Sequence, residues 1–162
     1  MSKDNFVFDD FLLDVTPETL PFVSGLHEYL LANGCGVKIQ SAKSGYVVSY
    51  LHTKSKKVVA NYVSRKKGLV MRIYGNNAAK YTAFIETLPA TMKAEIEKAP
   101  VCKRLLDPTK CSSKCTMGNI FTLDGIEHKK CRYNSFMFLL TPESMPFIKS
   151  FLLQELTERN AV

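Results

Sequence analysis

Read from its first apolar run onward, the chain changes period several times, and each change marks an element. Val23, Leu26 and Leu30, with Phe22 and Tyr29 beside them, recur at the three- and four-residue spacing of a helix. That pattern predicts a helix over roughly 17–32, stopped by Asn33-Gly34. Strand-like sequence follows, rich in Val, Tyr and Ile. It divides at Lys54-Ser55 and Lys66-Lys67 into Gly45–Thr53, Lys57–Arg65 and Gly68–Gly75, with a weaker strand at Val37–Ser41. Helical spacing returns at Asn76–Leu88 and Ala90–Ala99, each stopped by a proline, at Pro89 and Pro100. A second hairpin turns at Asp124-Gly125, its far arm running through Tyr133–Leu140 into a last helix over 142–158. Short hairpins with helices gathered beside them predict an α+β fold. It has an antiparallel sheet of about five to six strands and helices mainly on one face.

One motif occurs twice. Thr16-Pro17-Glu18-Thr19-Leu20-Pro21-Phe22-Val23 is matched by Thr141-Pro142-Glu143-Ser144-Met145-Pro146-Phe147-Ile148. Thr before Pro and Glu is helix-start chemistry, because the hydroxyl accepts an orphan N–H and Pro loses nothing in the first turn. The repeat predicts two core helices that share a cap by convergence or, as the sharper alternative, two helices of equivalent role, side by side against one sheet.

Counting from two-residue turns sets a register in which Leu51 opposes Val58, Ser49 opposes Ala60, Val47 opposes Tyr62 and Tyr62 opposes Met71. Val47, Leu51, Val58, Ala60, Leu69, Met71 and Ile73 then lie under the helices. Tyr46, Val48, Tyr50, His52, Asn61, Val63, Arg65, Arg72 and Tyr74 share the other face. That face holds too much Tyr and Val for plain solvent, so a cover is expected: the C-terminal hairpin, a second copy of the chain, or a ligand. Its Arg side chains suit a carboxylate or phosphate, which makes Tyr46, Tyr50, Asn61, Arg65, Arg72 and Tyr74 the candidate ligand-binding residues.

Composition narrows the class. The chain has 162 residues, of which 46% are hydrophobic and 23% charged, which is one globular domain. The first fifteen residues carry four Asp and no basic stretch before an apolar run, so they do not read as a signal peptide. A cytoplasmic protein is expected, with five cysteines kept as thiols or metal ligands. No run is apolar for long enough to span a bilayer. The net charge is +7, and between Glu28 and Glu86 there are ten Lys and Arg but no acid. Such a one-signed region attracts anions and leaves a nucleic acid open as a partner, with Tyr46, Tyr50, Tyr62 and Tyr74 as stacking surfaces.

Cys111-Ser-Ser-Lys-Cys115 has a zinc-knuckle spacing. A hairpin turning at Asp124-Gly125 returns Cys131 opposite about Gly118, near Cys115. Cys111, Cys115 and Cys131 thus converge, with Cys102 or His128 as a fourth zinc ligand. Lys110, Lys114, Lys129 and Lys130 nearby favour thiolates, and the same thiols could serve a redox role instead. The phosphate loop, dinucleotide, zinc-protease and serine-hydrolase motifs are all missing, and His27, His52 and His128 have no adjacent nucleophile.

Gly45-Tyr46-Val47-Val48-Ser49-Tyr50, Met71-Arg72-Ile73-Tyr74-Gly75 and Glu97-Lys98-Ala99-Pro100 together resemble the YdhG-like group of small bacterial α+β proteins, over about residues 20–140. The resemblance implies an antiparallel sheet flanked by helices and carries no catalytic residue. Cys111–Cys131 departs from that group. The expected function is a non-catalytic binding domain for a small anionic ligand or a protein partner, with a cysteine-held zinc beside it. A nucleic-acid-binding protein and a thiol-dependent redox protein are the alternatives.

Overall fold

The computed structural model describes residues 6–43, 45–115 and 117–161. A short helix α1 (Phe8–Leu12) precedes α2 (Leu20–Ala32), and four strands follow: β1 (Cys35–Ala42), β2 (Gly45–His52), β3 (Lys57–Arg65) and β4 (Gly68–Ile73). A 3-10 turn (Ala78–Tyr81) leads through α3 (Thr82–Ile85) and α4 (Ala90–Lys98) to α5 (Lys103–Leu106). The hairpin β5 (Asn119–Leu123) and β6 (Ile126–Lys130), the strand β7 (Phe136–Leu139) and the long helix α6 (Ser144–Asn160) complete the chain. The fold is α+β. Its main sheet is antiparallel throughout, in the order β1-β2-β3-β4-β7, and β5-β6 form a separate two-stranded sheet.

The expected far arm of the second hairpin is in fact two elements. β6 ends at Lys130, residues 131–135 turn, and β7 joins the edge of the main sheet beside β4. Ser135, fully buried, fixes that turn by donating its hydroxyl to the Cys131 carbonyl, 2.6 Å away. The Asp124-Gly125 turn itself matches expectation, with φ of +49° and +79°, the pair a tight hairpin turn requires.

The counted register holds at Leu51↔Val58 and at Tyr62↔Met71, but not between them. Val59 is an extra residue on β3, so Tyr50 rather than Ser49 faces Ala60, and Val48 rather than Val47 faces Tyr62. One inserted residue exchanges the faces of β2. Val48, Tyr50 and His52 therefore lie under the helices with Ala60, Tyr62, Met71 and Ile73, all of them buried. Val47, Leu51 and Val58 point to the opposite face, contrary to the simple count. The bulge brings Tyr50 of β2 onto the same face as Tyr62 of β3, where the two rings meet edge to face at 6.1 Å.

Both repeated motifs open helices on that face. The regular helix begins later than expected, at Leu20 and Ser144, so the second proline of each copy lies in the first turn. Thr141 and Ser144 cap reciprocally: the Thr141 N–H donates to Ser144 Oγ at 2.9 Å and the Ser144 N–H to Thr141 Oγ1 at 3.0 Å. In the first copy the two hydroxyls, Thr16 and Thr19, bond each other at 2.9 Å. α2 and α6 are neighbours, with the Lys149 ammonium 5.2 Å from the Tyr29 ring centre. Phe151 of α6 gathers Tyr81, Phe84, Phe136 and Phe138 at ring-centre distances of 4.8–6.1 Å.

Polar ties close the other end of α6. Glu155 and Arg159 are buried and paired at 2.8 Å. Glu155 also accepts from the Asn77 N–H, the Asn77 amide and the Tyr81 hydroxyl, while Arg159 donates to the carbonyls of Val58 and Tyr74. These contacts explain why the helix expected over Asn76–Leu88 shrinks to a 3-10 turn and one helical turn. Asn77 and Tyr81 are held by α6 rather than by helix neighbours.

His27 stacks flat on Phe8, 3.6 Å between ring centres, and its Nδ1 bonds the Tyr50 hydroxyl at 2.9 Å. Burial holds its imidazole below the ordinary value of 6.5, against the opposing pull of Glu28 and Asp9. A base with a depressed folded pKa takes its proton more readily when unfolded. Its contribution is therefore complete above pH ~6.5 and is lost as pH falls through the folded value. Urea midpoints measured from about pH 7 to pH 5 should decline more steeply in the parent than in His27→Gln. Identical slopes would place the acid sensitivity elsewhere.

Candidate functional site

The six expected ligand-binding residues do not share a surface. Tyr50 is fully buried beneath α2, and Tyr46 packs edge-on against Phe6 on the same helix side. Tyr62 is fully buried too, so the tyrosines expected to stack on bases are largely inside the core. Tyr74 is also buried, its ring 5.9 Å from that of Tyr133, with the Arg132 guanidinium 5.6 Å from the Tyr74 ring centre. The turn at 131–135 thus supplies part of the expected cover. Asn61, Arg65 and Arg72 do lie on the face away from α2 and α6, since all three alternate with the buried Ala60, Tyr62, Met71 and Ile73.

Asn61 and Arg72 are direct cross-strand partners. Asn61 Oδ1 and Arg72 Nε are both buried and find no hydrogen-bond partner among the described residues. Buried polar atoms are nearly always satisfied, so an unmet pair side by side is a feature to account for.

Beside this pair a groove of about 790 Å³ runs between the sheet and α4. Its floor is Val70, Met137, Phe138 and Leu139, and Met92 of α4 forms the wall. Met137 is the cross-strand partner of Arg72, which places Arg72 next to the floor. Arg65, Lys66 and Lys67, at the β3–β4 turn, form a cationic rim. They make no ion pair among the described residues. The two carboxylates of the lining are engaged: Glu143 accepts from the Thr91 hydroxyl and Glu95 pairs with Lys98 at 3.5 Å. Sequence reasoning found Arg65 and Arg72 but missed the floor, because it places Met137 and Leu139 on a hairpin arm that lies elsewhere.

Lys54 and Lys56 do not extend the rim. They sit in the β2–β3 loop, at the end of the sheet opposite the β3–β4 turn. These two lysines are therefore set apart from the rim by the length of the sheet.

The cysteines form a second feature. Cys102, Cys111, Cys115 and Cys131 all line one cleft of about 320 Å³, with Lys103, Lys114 and Arg132. The hairpin register ends at Asn119↔Lys130, and the next residue, Cys131, donates its N–H to the Pro100 carbonyl instead. His128 does not join them: it stacks on Phe121, 5.7 Å between ring centres, on the other side of β6. Lys130 also points away, donating to the Glu97 and Ala99 carbonyls at the C-terminus of α4. Cys35 stands apart, buried on β1, and burial pushes its thiol up to about 11. Among the described residues no three His, Cys, Asp or Glu side chains are grouped closely enough to hold a metal as they are placed, and no helix is long and apolar enough to cross a membrane.

Comparison of the chain with protein-family models, with curated proteins and with solved structures finds no match.

Proposed function

We propose that this chain is a non-catalytic binding domain, and that its ligand is a small molecule with an apolar body and an anionic head. The observation that carries this reading is the groove beside α4: an apolar floor of Val70, Met137 and Leu139 under a rim of three cations that form no ion pair among the described residues. Sites for small molecules are mostly apolar with a few placed polar groups, and 790 Å³ falls within the usual range of such pockets. A cation left unpaired at an apolar rim attracts an anion without first breaking an ion pair. Arg72, cross-strand to Met137, stands beside the floor rather than in its lining.

Two dyes of the same ring system test both halves of this reading, and the chain's lack of Trp leaves their fluorescence clean. One is 1-anilinonaphthalene-8-sulfonate; the other is N-phenyl-1-naphthylamine, which has no charge. The sulfonate should bind about tenfold more tightly, since exposed ion pairs contribute about 0.2–1 kcal/mol each and three converge here. Replacing Arg65, Lys66 and Lys67 together by alanine should remove that preference while leaving the neutral dye and the melting temperature unchanged. Met137→Glu should weaken both dyes. Equal affinity for the two dyes, or a preference that survives the triple replacement, would overturn the proposal.

A further inference from the structure

The cysteine cleft is separate from the groove and asks for a different chemistry. We infer that Cys102, Cys111, Cys115 and Cys131 bind one zinc ion, which pins the segment between α5 and β5 to the base of the small hairpin.

Half of this site is built by backbone. Val101 and Lys130 form an antiparallel bridge, flanked by Cys102 N–H donating to Lys129 O at 2.8 Å and Cys131 N–H donating to Pro100 O at 2.9 Å. Two residues on either side of one bridge share a face as diagonal neighbours, so Cys102 and Cys131 are held on one wall of the cleft. Gly118 closes that wall, with its backbone packed against the Cys102 side chain and the Lys130 carbonyl.

The other half comes from the segment that has least to hold it. Among the described residues between Leu106 and Asn119, none belongs to a helix or strand. Their anchors include the Arg104 guanidinium on the Ser112 carbonyl at 2.6 Å, and Asp107 accepting from the Thr109 N–H and hydroxyl. Cys111 is exposed and adopts a left-handed φ of +65°, unusual for a residue with a side chain. Cys115 follows a turn closed by its N–H on the Ser112 carbonyl. Both line the same cleft as Cys102 and Cys131. Binding draws these two thiols inward to the roughly 3.8 Å sulfur separation that a tetrahedral ion with ~2.3 Å bonds imposes.

The lining chooses the metal. Among the described residues no carboxylate or histidine lines the cleft, so calcium and magnesium have none of the carboxylate ligands they favour there. Four thiols match the closed tetrahedral set of structural zinc. Each sulfur gives up its proton to the solvent on binding, leaving a centre of net charge −2 that Lys103, Lys114 and Arg132 surround. The ion then supplies what an irregular segment without a core of its own lacks.

The test uses the whole chain, reduced, stripped with chelator and refolded, with Co²⁺ and then Zn²⁺ as the probes. Cobalt should develop the intense visible bands of a four-thiolate tetrahedral site and lose them on addition of one equivalent of zinc. Exposed Cys111→Ser, the variant least able to disturb folding, should weaken zinc by at least the roughly 100-fold that loss of an outer-shell partner can cost. Cys35→Ser should leave the bands intact. In native protein, zinc should shield Cys111 and Cys115 from iodoacetamide, while Cys35 stays unlabelled with or without metal. Absent bands, bands unaltered in Cys111→Ser, or bound iron in place of zinc would each overturn the inference. So would a mass two hydrogens low that reductant restores, because it would make the pair a disulfide.

Discussion

Arg159→Met should destabilise the protein by about 3–5 kcal/mol, the cost typical of removing one partner from a buried ion pair. Arg159 is 9% exposed and Glu155 is fully buried, so water cannot take the place of the lost guanidinium. Three groups lose at once. Glu155 loses its closest cation, 2.8 Å away. The Val58 and Tyr74 carbonyls lose a donor at 3.0 and 2.8 Å. Val58 lies next to the bulge at Val59, whose carbonyl accepts the Tyr74 N–H, so the damage falls where β3 changes register. For a chain of this length the loss corresponds to about 10 °C in melting temperature, measured by circular dichroism. Glu155→Gln combined with Arg159→Met should recover part of it, because the neutral amide leaves no orphan charge. A loss below about 1 kcal/mol would mean that α6 is held by its apolar face alone.

Gly118→Ala is expected to be nearly as damaging, by about 3 kcal/mol, for a wholly steric reason. A Cβ at position 118 would stand 2.2 Å from the Lys130 carbonyl oxygen and 2.7 Å from Cys102 Cβ. The first contact is with backbone, which cannot rotate away. The second lies on the bridge that positions Cys102 and Cys131. Gly125→Ala is the informative comparison. A Cβ at position 125 would meet no described atom within 4 Å, but φ is +79°, so its cost is conformational only, about 1 kcal/mol. Urea denaturation of the two variants should rank them in that order. Equal losses would mean that the strands separate at Gly118 to admit the methyl group.

The sequence was most legible where structure depends on near neighbours. β3 begins and ends at Lys57 and Arg65 as the Val-rich run predicts, and α2 stops at Asn33-Gly34, where Gly34 takes a φ of +89°. The repeated Thr-Pro-Glu motif identified two helices that do lie side by side. The hairpin turn forms at Asp124-Gly125 as expected, and Cys131 lines the same cleft as Cys102, Cys111 and Cys115. Such features are written in turn chemistry, capping and period, each confined to a few consecutive residues.

The candidate surface was much less legible, and one residue is the reason. Side chains alternate with period two, so the extra Val59 sends Tyr50 into the core and Leu51 out of it, and no local signal in Lys57–Arg65 announces the bulge. The groove floor depended on β7 leaving its hairpin to pair with β4, a choice made by distant strands. Nothing in the i, i+4 spacing of Glu155 and Arg159 signals burial; only the packing of Tyr81, Asn77 and the β3 carbonyls around them makes the pair a buried tie. The sequence by itself thus determined the α+β class and the turns, because local sterics and hydrogen bonding specify them. Tertiary structure alone decided which face each strand presents, which charges are buried and where an apolar floor meets a cationic rim, because those properties belong to contacts between residues far apart in the chain.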